Sequence, residues 1–200
     1  MDDHQIVCQC CGMMPSLTSF LPLLAPHFGM TAAALYERQR ALVRLGLLPK
    51  PVGRGRGSGA LATAETVGLV CLSVLMTDNL SDTDDRVGVL ARSPVQTHLE
   101  RKRCRLTGAA NLGDALAALF GNQNLASRVS SVHILRRELQ ATLHWVKKGS
   151  AKFDYGGRNI ELTEFVREEN RFLRFSFSVE ASLDGSAILE IATALSGSTN

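Results

Sequence analysis

The stretch TAAALYERQRALVRLGLLPKPVGRGRGSG, residues 31–59, joins a helical pattern to a loop of unusual composition. Thr31 is a residue type that caps helix N-termini, and the residues after it are mostly good helix formers. Gly46 stands where a helix is expected to end. The last fourteen residues, 46–59, hold five glycines, two prolines and three basic residues. The stretch therefore predicts a helix followed by a flexible, positively charged loop.

Positive charge is concentrated in this stretch. The formal net charge is only +3 for 200 residues, so attraction to a polyanion must come from local clustering. Between positions 36 and 57, six Arg and Lys residues accompany a single acid, Glu37. In the helix, Arg38, Arg40 and Arg44 are expected to lie off the apolar stripe that faces the core.

Further helical patterns flank the basic stretch. SLTSFLPLLAPHFGM, residues 16–30, predicts a short amphipathic helix ended by Pro26 and Gly29. Two helices joined by a short turn that contains glycine form a helix-turn-helix, whose second helix can lie in the major groove of DNA. TAETVGLVCLSVLM, residues 63–76, predicts a third and largely buried helix. Shorter helices are expected in DRVGVLARSP, before Pro94, and in NLGDALAALFGNQNLASRV, after a second basic run.

Residues 31–76 resemble the winged helix-turn-helix of the MerR type. The match rests on Tyr36 and Arg38 in the helix, on GLLP at 46–49 and on the glycine- and arginine-bearing segment 53–56. The resemblance implies that the helix contacts bases and that the wing contacts the DNA backbone. Basic side chains would neutralise phosphates, and the glycines would allow the main chain to approach them closely. The residues predicted to bind DNA are Thr31, Tyr36, Arg38, Arg40, Arg44, Lys50, Arg54 and Arg56.

From residue 131 onward the pattern changes to strands. The predicted strands are SVHIL, ATLHWV, AKFDYGG, RNIELTEFV, RFLRFSFSVEA and SAILEIATAL, with turns at Gly149-Ser150, Gly156-Gly157, Glu168–Asn170 and Asp184-Gly185. We therefore expect an α+β fold, an N-terminal winged helix-turn-helix followed by a small unit with a mainly antiparallel sheet. The predicted divisions are a tail, 1–15, a DNA-binding region, 16–93, a basic linker with helices, 94–130, and the sheet unit, 131–200.

Aromatic side chains in the predicted sheet leave two interpretations open. Trp145, Phe153 and Tyr155, with Lys147, Lys148 and Lys152 supplying charge, would suit a platform for single-stranded nucleic acid. The same aromatic residues would equally suit the core of a small sheet, and we favour the core.

The sequence shows no connected catalytic constellation. The four histidines that follow the N-terminal region are scattered along the chain: His27, His98, His133 and His144. No nucleophile elbow or H-E-x-x-H motif accompanies them, and GRGRGSG lacks the pattern of a P-loop. We therefore expect no enzymatic activity and no cofactor.

Cysteine usage and hydropathy bear on the compartment. Cys8, Cys10 and Cys11 lie closer together than the usual C-x2-C zinc spacing and have no second Cys or His pair after them, so no metal is expected, although metal binding by this cluster stays open. Asp2 and Asp3 stand where a secretion signal would be basic, and no apolar run is long enough to span a bilayer. We expect a cytoplasmic, nucleoid-associated protein with reduced thiols.

Together these patterns predict a sequence-specific double-stranded DNA-binding protein. A transcriptional regulator of a bacterium, phage or mobile element would fit, acting as a homodimer. The alternative is a protein-interaction adaptor or inhibitor that engages its partner through the C-terminal sheet.

Overall fold

The computed structural model of the protein describes residues 14–50, 59–77, 85–96, 103–146, 160–166 and 179–197. The predicted α+β class, with an antiparallel sheet, is confirmed. The elements in chain order are α1 Leu17–Leu24, a 3-10 turn Ala25–Phe28, α2 Ala32–Arg44, α3 Ala64–Met76, α4 Asp85–Ala91, β1 Val95–Gln96, α5 Leu112–Phe120, α6 Gln123–Ala126, β2 Val129–Leu135, β3 Gln140–Val146, β4 Ile160–Val166, β5 Glu180–Asp184 and α7 Gly185–Gly197.

The helix boundaries around the basic stretch follow the predicted signals. The hydroxyl of Ser16 accepts a hydrogen bond from Ser19 N at 3.2 Å, and that of Thr31 accepts one from Ala34 N at 3.2 Å. Gly29, after the 3-10 turn, and Gly46, after α2, have φ angles of 60° and 72°. Both lie in the left-handed region, where a glycine carries no steric penalty. Helices are therefore present in both of the predicted segments, and α1 packs on α2.

Helix α3 lies at the centre of the molecule. Thr63 and Thr66 form a reciprocal capping box at its N-terminus, and most of its side chains are buried. It packs against α2, α4 and α5 and also against the sheet strands β2 and β5. The mostly apolar body of the helix, from Val67 to Met76, is buried because neighbours cover it on several sides.

The sheet has the strand order β1-β4-β3-β2-β5, and every neighbouring pair is antiparallel. Alternate residues such as Val132, Ile134 and Leu143 point into the core, where α3 and α7 pack on the sheet. The opposite face carries polar side chains, among them His133 and His144. The register between β2 and β3 shifts at Val129/Ser131, which marks a β-bulge at the start of β2.

The predicted strand SAILEIATAL is wrong, because these residues form most of α7. Ile188, Ile191 and Leu195 recur at helical spacing and are buried on one face. Asp184 ends β5 and caps the helix, since its Oδ1 accepts from Ser186 N at 2.7 Å. Asp184-Gly185 is therefore a strand-to-helix junction and not the predicted hairpin turn.

The strands SVHIL and ATLHWV are confirmed as β2 and β3, and RNIELTEFV is confirmed from Ile160 onward. Of RFLRFSFSVEA, only the end at Val179–Ala181 is described, and Glu180 and Ala181 belong to β5. AKFDYGG and the turns predicted at 149–150, 156–157 and 168–170 lie outside the described residues.

One hydrophobic core runs through the described parts of the predicted DNA-binding region, linker region and sheet unit. It includes Leu17 of α1, Leu72 of α3, Leu116 of α5, Ile134 of β2 and Ile191 of α7. Positions 130 and 131 both lie within β2. Within the described ranges, no helix has both the length and the apolar character needed to cross a membrane.

Candidate nucleic-acid interface

One face of α2 is buried and the other is exposed. Leu35, Arg38 and Leu42 belong to the buried face, which packs toward α1 and α3. Tyr36, Arg40 and Arg44 are exposed, and their spacing of four residues places them along one face of the helix. We call these three residues the α2 stripe. Tyr36 keeps 42% of its surface exposed.

The α2 stripe is mainly cationic. Its neighbour Glu37 forms an ion pair with Arg40, with 3.0 Å between Oε1 and Nη1, and both side chains are largely exposed. Exposed pairs of this kind contribute little free energy, so exchanging the carboxylate for a phosphate would cost little. Arg44 lies in the last turn of α2, near the negative end of the helix dipole. Lys50 is exposed beyond that end.

Arg38 requires a correction, because it was expected on the exposed face and is buried with 3% exposure. Its guanidinium donates to the main-chain oxygen of Ser73 at 2.8 Å, and to Oγ1 and the main-chain oxygen of Thr77 at 2.7 and 2.8 Å. These acceptors lie at the C-terminal end of α3. The side chain thus stabilises a helix end and is removed from the proposed DNA contacts.

The structure describes the two ends of the glycine-rich loop, residues 46–50 and Gly59, whereas residues 51–58 are outside the described residues. The chain returns at Gly59 beside the start of α1, where Leu17 N donates to Ala60 O at 2.7 Å and Ala62 N donates to Pro15 O at 2.9 Å. Arg54 and Arg56 belong to the segment outside the described residues, and their DNA contacts stay predictions. Thr31 is exposed at the start of α2 with its hydroxyl engaged as the cap.

Sequence reasoning missed a polar cluster on the open face of the sheet. Ser131 Oγ lies 2.8 Å from His133 Nε2, and His133 Nδ1 is hydrogen-bonded to Glu180 Oε1. The ring of His144 stacks obliquely on that of His133, with centroids 4.6 Å apart. Alternation along β2 could have placed Ser131 and His133 on one face. The contact with Glu180 depends on the pairing of β2 with β5, and the sequence pattern does not predict which strands pair.

The pKa of His144 is lowered from its ordinary value. Partial burial is the largest cause, and the neighbouring His133 adds to the effect, whereas Glu180 acts in the opposite direction. A lowered pKa favours the neutral imidazole at neutral pH.

Trp145 cannot stack on a base of a nucleic acid, because its side chain is buried in the core with 3% exposure. For this residue the core interpretation, which we favoured, is confirmed. Its Nε1 donates to Thr163 Oγ1 at 3.2 Å, and the Arg128 guanidinium lies 5.4 Å from the indole centroid. Phe153, Tyr155 and the three lysines of that hypothesis lie outside the described residues.

Among the residues that the structure describes, no group of three or more His, Cys, Asp or Glu is arranged to hold a metal ion. Cys71 and Cys104 are buried free thiols, and burial raises the pKa of Cys71 far above its usual range. Cys8, Cys10 and Cys11 are outside the described residues, so metal binding by that cluster stays open. Comparison of the chain with protein-family models, curated proteins and solved structures finds no match.

Proposed function

We propose that the protein binds double-stranded DNA through the α2 stripe, with Lys50 extending the contact. The observation that carries this proposal is the exposure of Tyr36, Arg40 and Arg44 along one face of a helix whose other face is anchored in the core. A helix of this kind fits the major groove of B-DNA, where arginine recognises guanine through two hydrogen bonds. Contacts from such a fixed helix orient the protein at little entropic cost.

The charge around the stripe supports phosphate contacts in addition to base contacts. Arg44 is the last residue of α2, Lys50 lies beyond its end, and Arg54 and Arg56 are the next basic residues in the chain. Each phosphate that such a side chain neutralises releases counterions, which makes binding weaken as salt rises. We assign the protein to transcriptional regulation in a bacterial or phage setting, acting in the cytoplasm as a homodimer, since two α2 stripes bind more tightly than one.

The competing proposal is a protein-interaction adaptor that binds through the sheet. The observation that favours it is Leu162 of β4, which keeps 58% of its surface exposed on the open sheet face. This proposal predicts co-purification of a partner protein and no retention on DNA.

The experiment is selection of fragments from a genomic DNA pool, followed by fluorescence anisotropy titrations of the selected duplex at several salt concentrations. The test variant carries Arg40→Ala and Arg44→Ala. The matched control carries Arg103→Ala and Arg105→Ala, which remove the same charge from two exposed positions outside α2. Arg105 lies close to Glu161 of β4, so this control lies in a different part of the fold.

We expect the test variant to bind more weakly than the control. If both arginines contact phosphate, the slope of log K against log salt falls by about 1.8, at about 0.9 per phosphate. If one arginine reads a base, the slope falls by about half of that, and discrimination against the changed base pair falls as well. Equal losses in both variants would contradict the proposed interface, because only total charge would then matter.

A further inference from the structure

Ser131, His133 and Glu180 form a connected series on the open face of the sheet, which we call the Ser131 relay. The hydroxyl of Ser131 lies 2.8 Å from His133 Nε2, and the opposite ring nitrogen, Nδ1, is hydrogen-bonded to the Glu180 carboxylate. Two of the members come from β2, and the third comes from the edge strand β5. A hydroxyl, an imidazole and a carboxylate in this order are the parts of an activated nucleophile.

The Glu180 carboxylate determines which way the hydrogen bonds run. An ionised carboxylate only accepts hydrogen bonds, so Nδ1 of His133 carries the proton in the neutral ring. Nε2 is then the acceptor, and the Ser131 hydroxyl donates to it. In this tautomer His133 can take the proton of Ser131 as the hydroxyl attacks.

The relay is accessible from solvent. The His133 side chain is 33% exposed and the Glu180 side chain is 52% exposed. Ser182 of β5 and Thr142 of β3 stand opposite His133 on the two sides. Asp184 of β5 and His144 of β3 stand opposite Ser131, so polar and ionisable side chains surround the relay. A small reagent can therefore reach Ser131 without displacing part of the core.

We propose that Ser131 is an activated nucleophile that accepts an acyl or phosphonyl group from a small activated ester or phosphonyl fluoride. A bond forms between Ser131 Oγ and the acyl carbon or the phosphorus, while the hydroxyl proton passes to His133 Nε2. The bond to the leaving group breaks, and an aryloxide or fluoride departs with its electron pair. The protonated ring returns its proton to the leaving group or to water.

The surrounding backbone limits how fast Ser131 can react. β2 pairs with β3 on one side and with β5 on the other over positions 131–135, so its N–H groups are used by the sheet. No main-chain donor of this segment remains to stabilise an oxyanion, as such donors do in efficient hydrolases. His144 stands opposite Ser131 in the register of β3, on the same face of the sheet. Uptake and release of the acyl group should therefore both be slower than in efficient hydrolases, so activated reagents are needed to label Ser131.

The experiment treats the full chain with a fluorophosphonate probe and with p-nitrophenyl acetate, and locates the adduct by peptide mass spectrometry. The variants are Ser131→Ala, His133→Gln and Glu180→Gln, each checked for folding by circular dichroism. Ser182→Ala is the matched control, because this serine lies on the same face opposite His133 and is outside the relay.

We expect one adduct, on Ser131, formed at the wild-type rate in Ser182→Ala and absent in Ser131→Ala. Loss of the base in His133→Gln should slow labelling on the order of 10²-fold, and Glu180→Gln should slow it by a smaller factor. DNA affinity should be unchanged in Ser131→Ala, so this test is independent of the proposed DNA interface.

Three results would overturn the proposal. The first is the absence of any adduct on Ser131. The second is an equal labelling rate at Ser131 and at other exposed serines, which would show that the hydroxyl is not activated. The third is an undiminished rate in a folded His133→Gln variant, which would show that the histidine does not act as a base.

Discussion

Arg38 of α2 donates hydrogen bonds to both oxygens of Thr77, the main-chain oxygen at 2.8 Å and Oγ1 at 2.7 Å, across 39 positions of the sequence. Thr77 is the C-cap of α3. Helix C-termini leave carbonyl groups without partners inside the helix and carry a partial negative charge. The buried cation therefore donates to oxygens that are themselves buried in the core, and it fixes α2 against α3.

Removing the Arg38 guanidinium should strongly destabilise the protein. We expect Arg38→Met to lower the free energy of unfolding by roughly 2–4 kcal/mol, because the buried oxygens at the end of α3 lose the hydrogen bonds that a charged donor makes to them. Arg40→Met, two residues away on the exposed face, should change it by less than about 0.5 kcal/mol. Urea unfolding followed by circular dichroism measures both values. A loss for Arg38→Met no larger than that for Arg40→Met would contradict this account.

Adding a methyl group at Gly185 should disrupt the junction between β5 and α7. A Cβ built there would overlap the main-chain oxygen of Val129 and lie 2.8 Å from its carbonyl carbon. Because backbone cannot swing away as a flexible side chain can, Gly185→Ala should cost about 1–3 kcal/mol of stability or more. Gly197→Ala, at the other end of α7, meets no atom within 4 Å and should be close to neutral. Thermal unfolding of the two variants gives the comparison, and equal melting temperatures would exclude the predicted overlap.

Replacing the hydroxyl of Thr163 should leave a buried donor without its acceptor. Thr163 Oγ1 accepts from Trp145 Nε1 at 3.2 Å and from Cys104 Sγ at 3.7 Å. We expect Thr163→Val to cost about 1–3 kcal/mol, whereas Thr142→Val on the open face should be almost neutral. Urea unfolding measures both, and the fluorescence of Trp145, the single tryptophan, reports the change around the indole. If Thr163→Val matched Thr142→Val in stability, the buried hydrogen bond would have no net value.

The lowered pKa of His144 predicts how stability depends on pH. In the unfolded chain this imidazole has its ordinary pKa, so it takes up a proton at a higher pH than in the folded protein. Stability should therefore fall as the pH decreases through the ordinary histidine value, from about 7 to about 5. The loss should level off once the folded protein is protonated as well.

The variant that tests this is His144→Gln, which should lose less stability than the wild type over the same pH range. Ser182→Ala, on the same sheet face but without a titrating group, should keep the wild-type dependence. The measurement is the urea midpoint at each pH. A parallel pH dependence in His144→Gln and the wild type would assign the acid-induced loss to other groups.

Local signals were sufficient to predict the N-terminal helices. Capping hydroxyls at Ser16 and Thr31 and a left-handed glycine at Gly46 act within one turn of the chain, so a sequence displays them directly. The prediction of a strand for residues 186–195 is wrong although isoleucine favours strands. The buried residues Ile188, Ile191 and Leu195 are three and four positions apart, which is the spacing of a helix. Packing against β2 and β5 decides between the two.

The same distinction between local signals and tertiary contacts applies to the residues of the candidate sites. Exposure of Tyr36, Arg40 and Arg44 agrees with helical periodicity, and it is predicted from the sequence for Arg40 and Arg44. The burial of Arg38 also agrees with helical spacing, which places it on the same face as Leu35 and Leu42. Its partners at the end of α3 are defined only by tertiary contact, so a pattern that classes arginine as a surface residue misses them. The meeting of His133 with Glu180 likewise depends on strand pairing across 47 positions.

A second guanidinium contacts the C-terminal end of α3. Arg136, in the turn after β2, donates a hydrogen bond from Nε to the main-chain oxygen of Leu75 at 2.7 Å. This arrangement bears on how the protein can be divided for expression. A fragment ending at residue 93 would keep α2 and α3 but would lose Arg136 together with α5, which covers Gly68 of α3. Such a fragment would expose apolar surface and aggregate, so DNA-binding measurements require the entire chain.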